Sequence, residues 1–234
     1  MAPKGIPRPI SKETILKSFY LAVSIGILGV SGPASAQSVL FDFNSGPQYT
    51  STPLDITVGG IRAHFGATGS GFSIQDTAQV IGMLPTGFSG LGWTPNSVYG
   101  ADLTVSFWDA VTGNALYLTD ASIMVAPQEL ACDSSSTMKI SAYDGMNLIG
   151  SNTAITADQN FTWPVINLDF SSAQPFDNVV IHFQSGPPTG GDWGPIFVAD
   201  NLLVTPSPAP EPASLAGLCV GVLSLGRIIR RRRS

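Results

Sequence analysis

Asp102-Leu103-Thr104-Val105-Ser106-Phe107-Trp108 is the stretch on which the fold turns. Leu103, Val105 and Phe107 alternate with Thr104, Ser106 and Trp108. Successive side chains of a strand point to opposite faces, so a period of two marks a strand with one face on a core. The same period returns in Ile61–Phe65, with Ile61, Ala63 and Phe65 as the apolar set. It returns again in Met138–Tyr143 (Met138, Ile140, Ala142) and in Val179–Gln184 (Val179, Ile181, Phe183). The opposite faces carry Arg62, His64, Trp108, Lys139, Tyr143, His182 and Gln184. Every cation and both histidines of the central region thus fall on the face away from the core. Unpaired charge avoids a core, so the four registers support one another.

Working outward, short alternating runs separated by Gly, Pro, Asn, Asp and Ser predict an antiparallel all-β domain. The predicted strands are Val39–Phe43, Asp55–Val58, Ile61–Phe65, Leu103–Trp108, Leu116–Leu118, Ser122–Val125, Met138–Ala142, Asn147–Ile149, Phe161–Ile166, Asn178–Phe183 and Ile196–Val204. Asp144-Gly145 between two of them reads as a hairpin turn. No stretch keeps a 3.6-residue period, and no internal repeat is visible. Residues 37–204 suffice for one well-buried domain. Cys132 is the single cysteine of that region and cannot form an internal disulfide, so the core must supply the stability.

The two ends read as an address. Lys4, Arg8, Lys12 and Lys17 lead into the apolar run Phe19–Val30, and Ala34 and Ala36 offer the small residues a signal peptidase reads. Residues 1–36 are therefore expected to be a secretory signal peptide cleaved after Ala36. At the other end, residues 205–212 form a proline-rich linker, and residues 213–229 an apolar stretch of about 17 residues. That stretch spans roughly 26 Å as a helix, enough for one crossing of a thin bilayer. Residues 230–234 follow, with Arg230, Arg231, Arg232 and Arg233 as a cytoplasmic stop.

Once the ends are set aside, two cations, Arg62 and Lys139, face fourteen acids, a net −12. This argues against nucleic acid and anionic lipid as partners.

Pro210-Glu211-Pro212, the apolar segment from Ala213 and the run Arg230–Arg233 resemble the PEP-CTERM sorting signal of exopolysaccharide-producing Gram-negative bacteria. The resemblance covers the tail. It implies an exosortase-type membrane protease as a partner, cleavage near the motif, and release to the cell surface or extracellular matrix. The central region is similar to the jelly-roll domains attached to such tails. The residues that carry this are Leu40–Asn44, Ser141–Gly150, Phe176–Ile181 and Val198–Val204. The likeness implies a two-sheet, jelly-roll-like sandwich with its first and last strands paired, and exopolysaccharide as a candidate partner.

The residues raise three chemistries. Asp42 and Asn44 lie on the first predicted strand and Asp200 on the last; were those strands paired, hard oxygen ligands would meet there, the kind a structural Ca²⁺ takes. The other reading is that these residues satisfy their own backbone at turns and strand ends. For carbohydrate, some pair among Trp93, Trp108, Tyr143 and Trp193 is expected to stack on sugar rings. Trp93 and Trp193 sit in glycine-rich loops, where a tryptophan is either a ligand platform or a plug closing the sandwich. For catalysis, no nucleophile elbow, zinc-helix motif or phosphate loop is present, and Gly69-Ser70-Gly71 lacks a following lysine. The expectation is a non-catalytic structural or carbohydrate-binding protein. The alternative is a polysaccharide-modifying enzyme, which would need Arg62, His64 and a tyrosine together in a groove.

Overall fold

The computed structural model describes residues 37–127, 136–156, 164–185 and 196–208. Twelve strands follow in chain order: β1 (Val39–Phe41), β2 (Leu54–Val58), β3 (Ile61–Ala67), β4 (Phe72–Asp76), β5 (Leu91–Pro95), β6 (Leu103–Asp109), β7 (Leu118–Pro127), β8 (Thr137–Asp144), β9 (Asn147–Ile155), β10 (Ile166–Phe176), β11 (Asn178–Ser185) and β12 (Phe197–Pro206). One short helix, α1 (Thr77–Ile81), follows β4. The Asp76 carboxylate caps it by accepting from the Gln79 N–H, and Gly82 ends it in the left-handed conformation.

The strands form two antiparallel sheets. The first runs β10-β7-β12-β5-β4, with β1 also paired to β12. The second runs β2-β3-β6-β11-β8-β9. Two-residue hairpin loops join β2 to β3 and β8 to β9. Gly59 and Gly60 both take positive φ, 57° and 82°, as a type I′ turn requires of its two central residues. In the second hairpin Gly145 takes φ 58° between Asp144 and Asn147, which pair with each other.

The inward faces make one apolar cluster between the sheets. Leu103, Val105 and Phe107 of β6 meet Ile61, Ala63, Phe65, Met138, Ile140, Ala142, Val179 and Ile181 from the same sheet, all buried. Phe41, Phe72, Ile74, Ile123, Val125, Leu168, Phe197 and Val204 come from the other sheet. The alternation read in the sequence therefore holds, with Phe183 packed at the margin and only partly buried. The outward residues Arg62, His64, Trp108, Lys139, Tyr143, His182 and Gln184 are half-buried or exposed.

Several boundaries differ from expectation. β4 and β5 had no counterpart among the predicted strands, because Gly69, Gly71, Gly90, Gly92 and Pro95 break their pattern. Residues 116 and 117 lie outside β7, which absorbs the predicted Ser122–Val125 into one long strand. Of the predicted Phe161–Ile166 strand, residues 161–163 lie outside the described residues, 164 and 165 are not strand, and Ile166 opens β10, which carries a register irregularity against β7 between Ser171 and Phe176. β12 runs on to Pro206, so Thr205 and Pro206 pair with Asp120 and Leu118 and belong to the sheet, not to the linker. β1 pairs with β12 through Val39–Val204, Leu40–Leu203 and Phe41–Leu202, as the resemblance implied for first and last strands. Among the described residues no helix is long and apolar enough to cross a membrane. Ala34, Ala36, Cys132, Trp193, Pro210, Glu211, Pro212, residues 213–229 and Arg230–Arg233 lie outside the described residues.

Candidate functional site

The outward face of the six-stranded second sheet gathers most of the predicted chemistry. Strand register sets the layout. One row reads Asp55, His64, Ser106, Asn178 and Tyr143 across β2, β3, β6, β11 and β8. Beside it, Thr57, Arg62 and Trp108 stand abreast on β2, β3 and β6. On the other side comes a row of small residues: Gly66, Thr104, Val180, Ser141 and Ser151. The last row places His182 beside Lys139. The sheet is thus low along its middle and carries long or charged groups at two ends.

Trp108 is braced at one end. The Arg62 guanidinium lies over its ring, 5.2 Å from the centroid, a cation–π geometry. His64 meets the same ring edge-on at 6.0 Å. His64 Nδ1 is in turn hydrogen-bonded to Asp55 Oδ1 at 2.6 Å. At the other end His182 Nδ1 and Asp102 Oδ1 are 2.5 Å apart. Both line a cleft of about 300 Å³ with Thr68, Gly100, Ala101 and Phe183. Each histidine of the central region is therefore oriented by an aspartate, a pairing that residue spacing did not reveal because its partners lie 9 and 80 residues away in the chain.

Trp108 and Tyr143 share this face. β11 stands between their strands, so about 10 Å separates them laterally, with an offset of about 7 Å along the strands. Trp93 does not join them. It lies on β5 rather than in a loop, is 0% exposed, and packs against Phe65 at 5.1 Å and Phe43 at 5.8 Å. This corrects the expectation that Trp93 offers a face to sugar. Its indole is the plug between the sheets, and the glycines around it had suggested a loop.

The predicted oxygen cluster does assemble, on the first sheet. Asp200 is 0% exposed. Its Oδ2 accepts from the Ser89 N–H at 2.8 Å and from the Ser89 hydroxyl at 3.0 Å. Its Oδ1 accepts from the Asn201 N–H at 2.7 Å. The Asn44 amide donates to Ser89 Oγ at 2.8 Å and accepts from the Leu91 N–H at 3.2 Å. Asp42 Oδ1 accepts from the Asn44 N–H at 3.2 Å. Burial pushes the Asp200 carboxyl above the usual aspartate range, with a further push from the charge of Asp42; the Ser89 and Asn201 donors pull the other way.

The fit to Ca²⁺ is poor. The Asp200 oxygens and the Asn44 carbonyl point at N–H and O–H donors of the protein rather than into a shared cavity. Among the described residues no group of three or more His, Cys, Asp or Glu could hold a metal. Ser89 is the centre of this hub, and as a lone serine in a glycine-rich stretch it gave no signal in the sequence. Asp109 serves a turn instead: the Thr112 N–H, with the Thr112 hydroxyl and the Val111 N–H, holds its carboxyl below the usual range.

No protein-family model and no curated protein matches the chain. Solved structures similar to it include a family 29 carbohydrate-binding module at 11% identity, covering 72% of this chain and 89% of that one, with a TM-score of 0.36. A second family 29 module, CBM29_1 from Piromyces equi, shows 9% identity over 73% of this chain and 92% of its own, at a TM-score of 0.34. A family 6 carbohydrate-binding module shows 12% identity over 72% and 93%, at 0.31. All three scores lie below 0.5, so the functional reading rests on the geometry of this chain.

Proposed function

We propose that this protein is a non-catalytic, exported β-sandwich that binds polysaccharide on the outward face of its second sheet. The observation that carries this reading is the placement of Trp108 and Tyr143 on one sheet face beside a floor of small residues. Flat rings held on a rigid sheet suit stacking against sugar rings, and the amide of Asn178 and the hydroxyl of Ser106 stand between them, with Thr104 in the adjoining row. Trp108 is held in place by Arg62 and His64, so little of its freedom is lost on binding.

The alternative, a polysaccharide-modifying enzyme, asks for Arg62, His64 and a tyrosine in one groove. The register puts Tyr143 three strand spacings, about 14 Å, from His64. That separation favours binding over catalysis. Trp108→Ala is expected to weaken glycan binding by about 2 kcal/mol, roughly 30-fold, as loss of a central aromatic anchor does. Tyr143→Ala should cost less. Titration calorimetry of the full chain against soluble glycans reads both, and wild-type affinity in both variants would sink this reading of the sheet.

The ends complete the proposal. Residues 1–36 direct export. Pro210-Glu211-Pro212, the helix over 213–229 and Arg230–Arg233 hold the chain in the inner membrane until an exosortase-type protease releases it to the surface or matrix. Thr205 and Pro206 are tied into the sheet and Ser207 donates to the Tyr117 carbonyl at 2.8 Å. The cut must therefore fall beyond Ser207. Intact-mass measurement of the secreted form is expected to show loss of Arg230–Arg233 with Ser207 kept. A secreted species that retains the four arginines would contradict processing.

A further inference from the structure

The charge pattern of the sugar-facing sheet indicates which class of glycan it takes. We propose that this face binds a carboxylate-bearing polysaccharide, a polyuronate, in preference to a neutral glucan; the inference rests on the glycan-binding reading above.

Residues 37–204 hold fourteen acids and two cations, Arg62 and Lys139. Among the described residues Asp55 and Asp102 are hydrogen-bonded to His64 and His182, and neither Arg62 nor Lys139 has a carboxylate within 4.0 Å. Among the described residues both cations are without a carboxylate partner, and both stand on the same outward face. Asp42, Asp76, Asp120, Asp169 and Asp200 belong to the first sheet or the segments beside it. That sheet lies about 10 Å behind the second, across the apolar core, and turns its own outer face the opposite way. An approaching polyanion meets Arg62 and Lys139 together with Asp55 and Asp102, each hydrogen-bonded to a histidine, and with Asp109, Asp144 and Asp177 at the strand ends, where Asp109 and Asp177 accept from backbone N–H groups of turns.

Arg62 is held for this role. Its guanidinium lies over Trp108, and its Nε is buried without a partner. A sugar stacked near Trp108 would carry its carboxylate beside a planar fork suited to bidentate recognition. Lys139 stands about 14 Å across the sheet and about 20 Å along it from Arg62. The small residues Gly66, Thr104, Val180 and Ser141 lie between them, and Ser151 continues that row onto β9. Two cations that far apart suit acidic groups spaced along an extended glycan. They are too few for nucleic acid, whose binding relies on many phosphate contacts.

The test is titration calorimetry of the full-length chain in detergent, at about 0.15 M salt, with alginate oligomers, cellohexaose and a thymidine oligonucleotide. Alginate is expected to bind at least about tenfold more tightly than cellohexaose. Lys139→Gln should weaken alginate binding severalfold and leave cellohexaose unchanged, whereas Arg62→Gln, which also frees Trp108, should weaken both sugars and alginate the more. Ser151→Lys adds a cation at an exposed position at the end of that row and should tighten alginate binding. Lys139→Gln and Ser151→Lys are surface changes, and an unchanged near-ultraviolet circular dichroism spectrum verifies their fold. Cellohexaose binding as tightly as alginate overturns the uronate preference while the glycan reading stands. So does alginate binding that neither Lys139→Gln nor Ser151→Lys alters; an oligonucleotide bound in place of both sugars overturns the glycan reading as well. A wild-type chain that binds neither sugar overturns the glycan reading and this inference together.

Discussion

Trp93→Ala is expected to be the most destabilising single change in the described domain, at about 3–5 kcal/mol. Trp93 is the largest of the fully buried side chains. It sits in a three-ring cluster that joins the sheets: Phe43 and Phe65 are 5.3 Å apart at 83°, and Trp93 contacts both. Edge-to-face and tilted pairs of this kind add about 0.5–1.5 kcal/mol beyond the area they bury. Truncation to alanine leaves a cavity bounded by both sheets, which cannot close without moving paired strands. For a domain of this size each kcal/mol shifts the melting temperature by about 2–4 °C. A fall of roughly 6–20 °C is therefore expected in thermal unfolding. Trp93→Phe should be much milder: it keeps a ring, and it removes an indole N–H that is buried without a partner, itself a cost of about 1–3 kcal/mol. A drop under about 2 °C for Trp93→Ala would show that the indole is not the inter-sheet plug.

The second large effect belongs to Asp200. Asp200→Ala removes the acceptor of three hydrogen bonds that tie Ser89 and the bend at Asn201 to the last strand. Charge-assisted bonds are worth about 1.5–3 kcal/mol each in favourable cases. Relief of the buried charge offsets part of that, so a net loss of about 2–3 kcal/mol is expected, read as a lower melting temperature. The pH dependence has a definite sign. The folded-state pKa of Asp200 is raised, so between the ordinary aspartate value and its raised value the folded state holds more proton than the unfolded one. Stability from this group is thus fully present below the ordinary value and is lost as pH rises through the raised one. Asp109, with its lowered pKa, acts oppositely, losing stability on acidification, but it is exposed and contributes little. Melting temperatures across mild acid should therefore rise more in wild type than in Asp200→Asn, and equal slopes would contradict the assignment. Calcium is tested in the same scans. The hydrogen-bonded hub predicts no shift on adding calcium to the chelated protein. A shift that disappears in Asp200→Asn would restore the ion to Asp42, Asn44 and Asp200.

The period-two runs of β3, β6, β8 and β11 were legible because each has a wet side and a dry side, which is the physical cause of alternation. The hairpin at Asp144-Gly145 was legible because a tight turn leaves few residue choices. The outward set from Arg62 to Gln184 followed by subtraction. β4 and β5 were not legible. Residues there are buried on both faces, Ser73 and Thr94 included, so alternation vanishes, and the flanking glycines imitate a loop. Trp93 was misplaced for that reason. Ser89 could not be found at all, since its role depends on Asp200, 111 residues further along.

Sequence alone thus determined the all-β class, the inward and outward faces of four strands, the anionic balance of the central region and the expectation of an exported chain. These depend on local periodicity and composition, which need no partner strand. The tertiary structure decided which faces adjoin. Strand order placed Trp108 and Tyr143 on one sheet, paired each histidine with a distant aspartate, and set both cations of the domain on the same surface, with no carboxylate partner among the described residues. Hydrogen-bond registry between segments far apart in the chain is a property of the assembled sheets, and no single segment carries it.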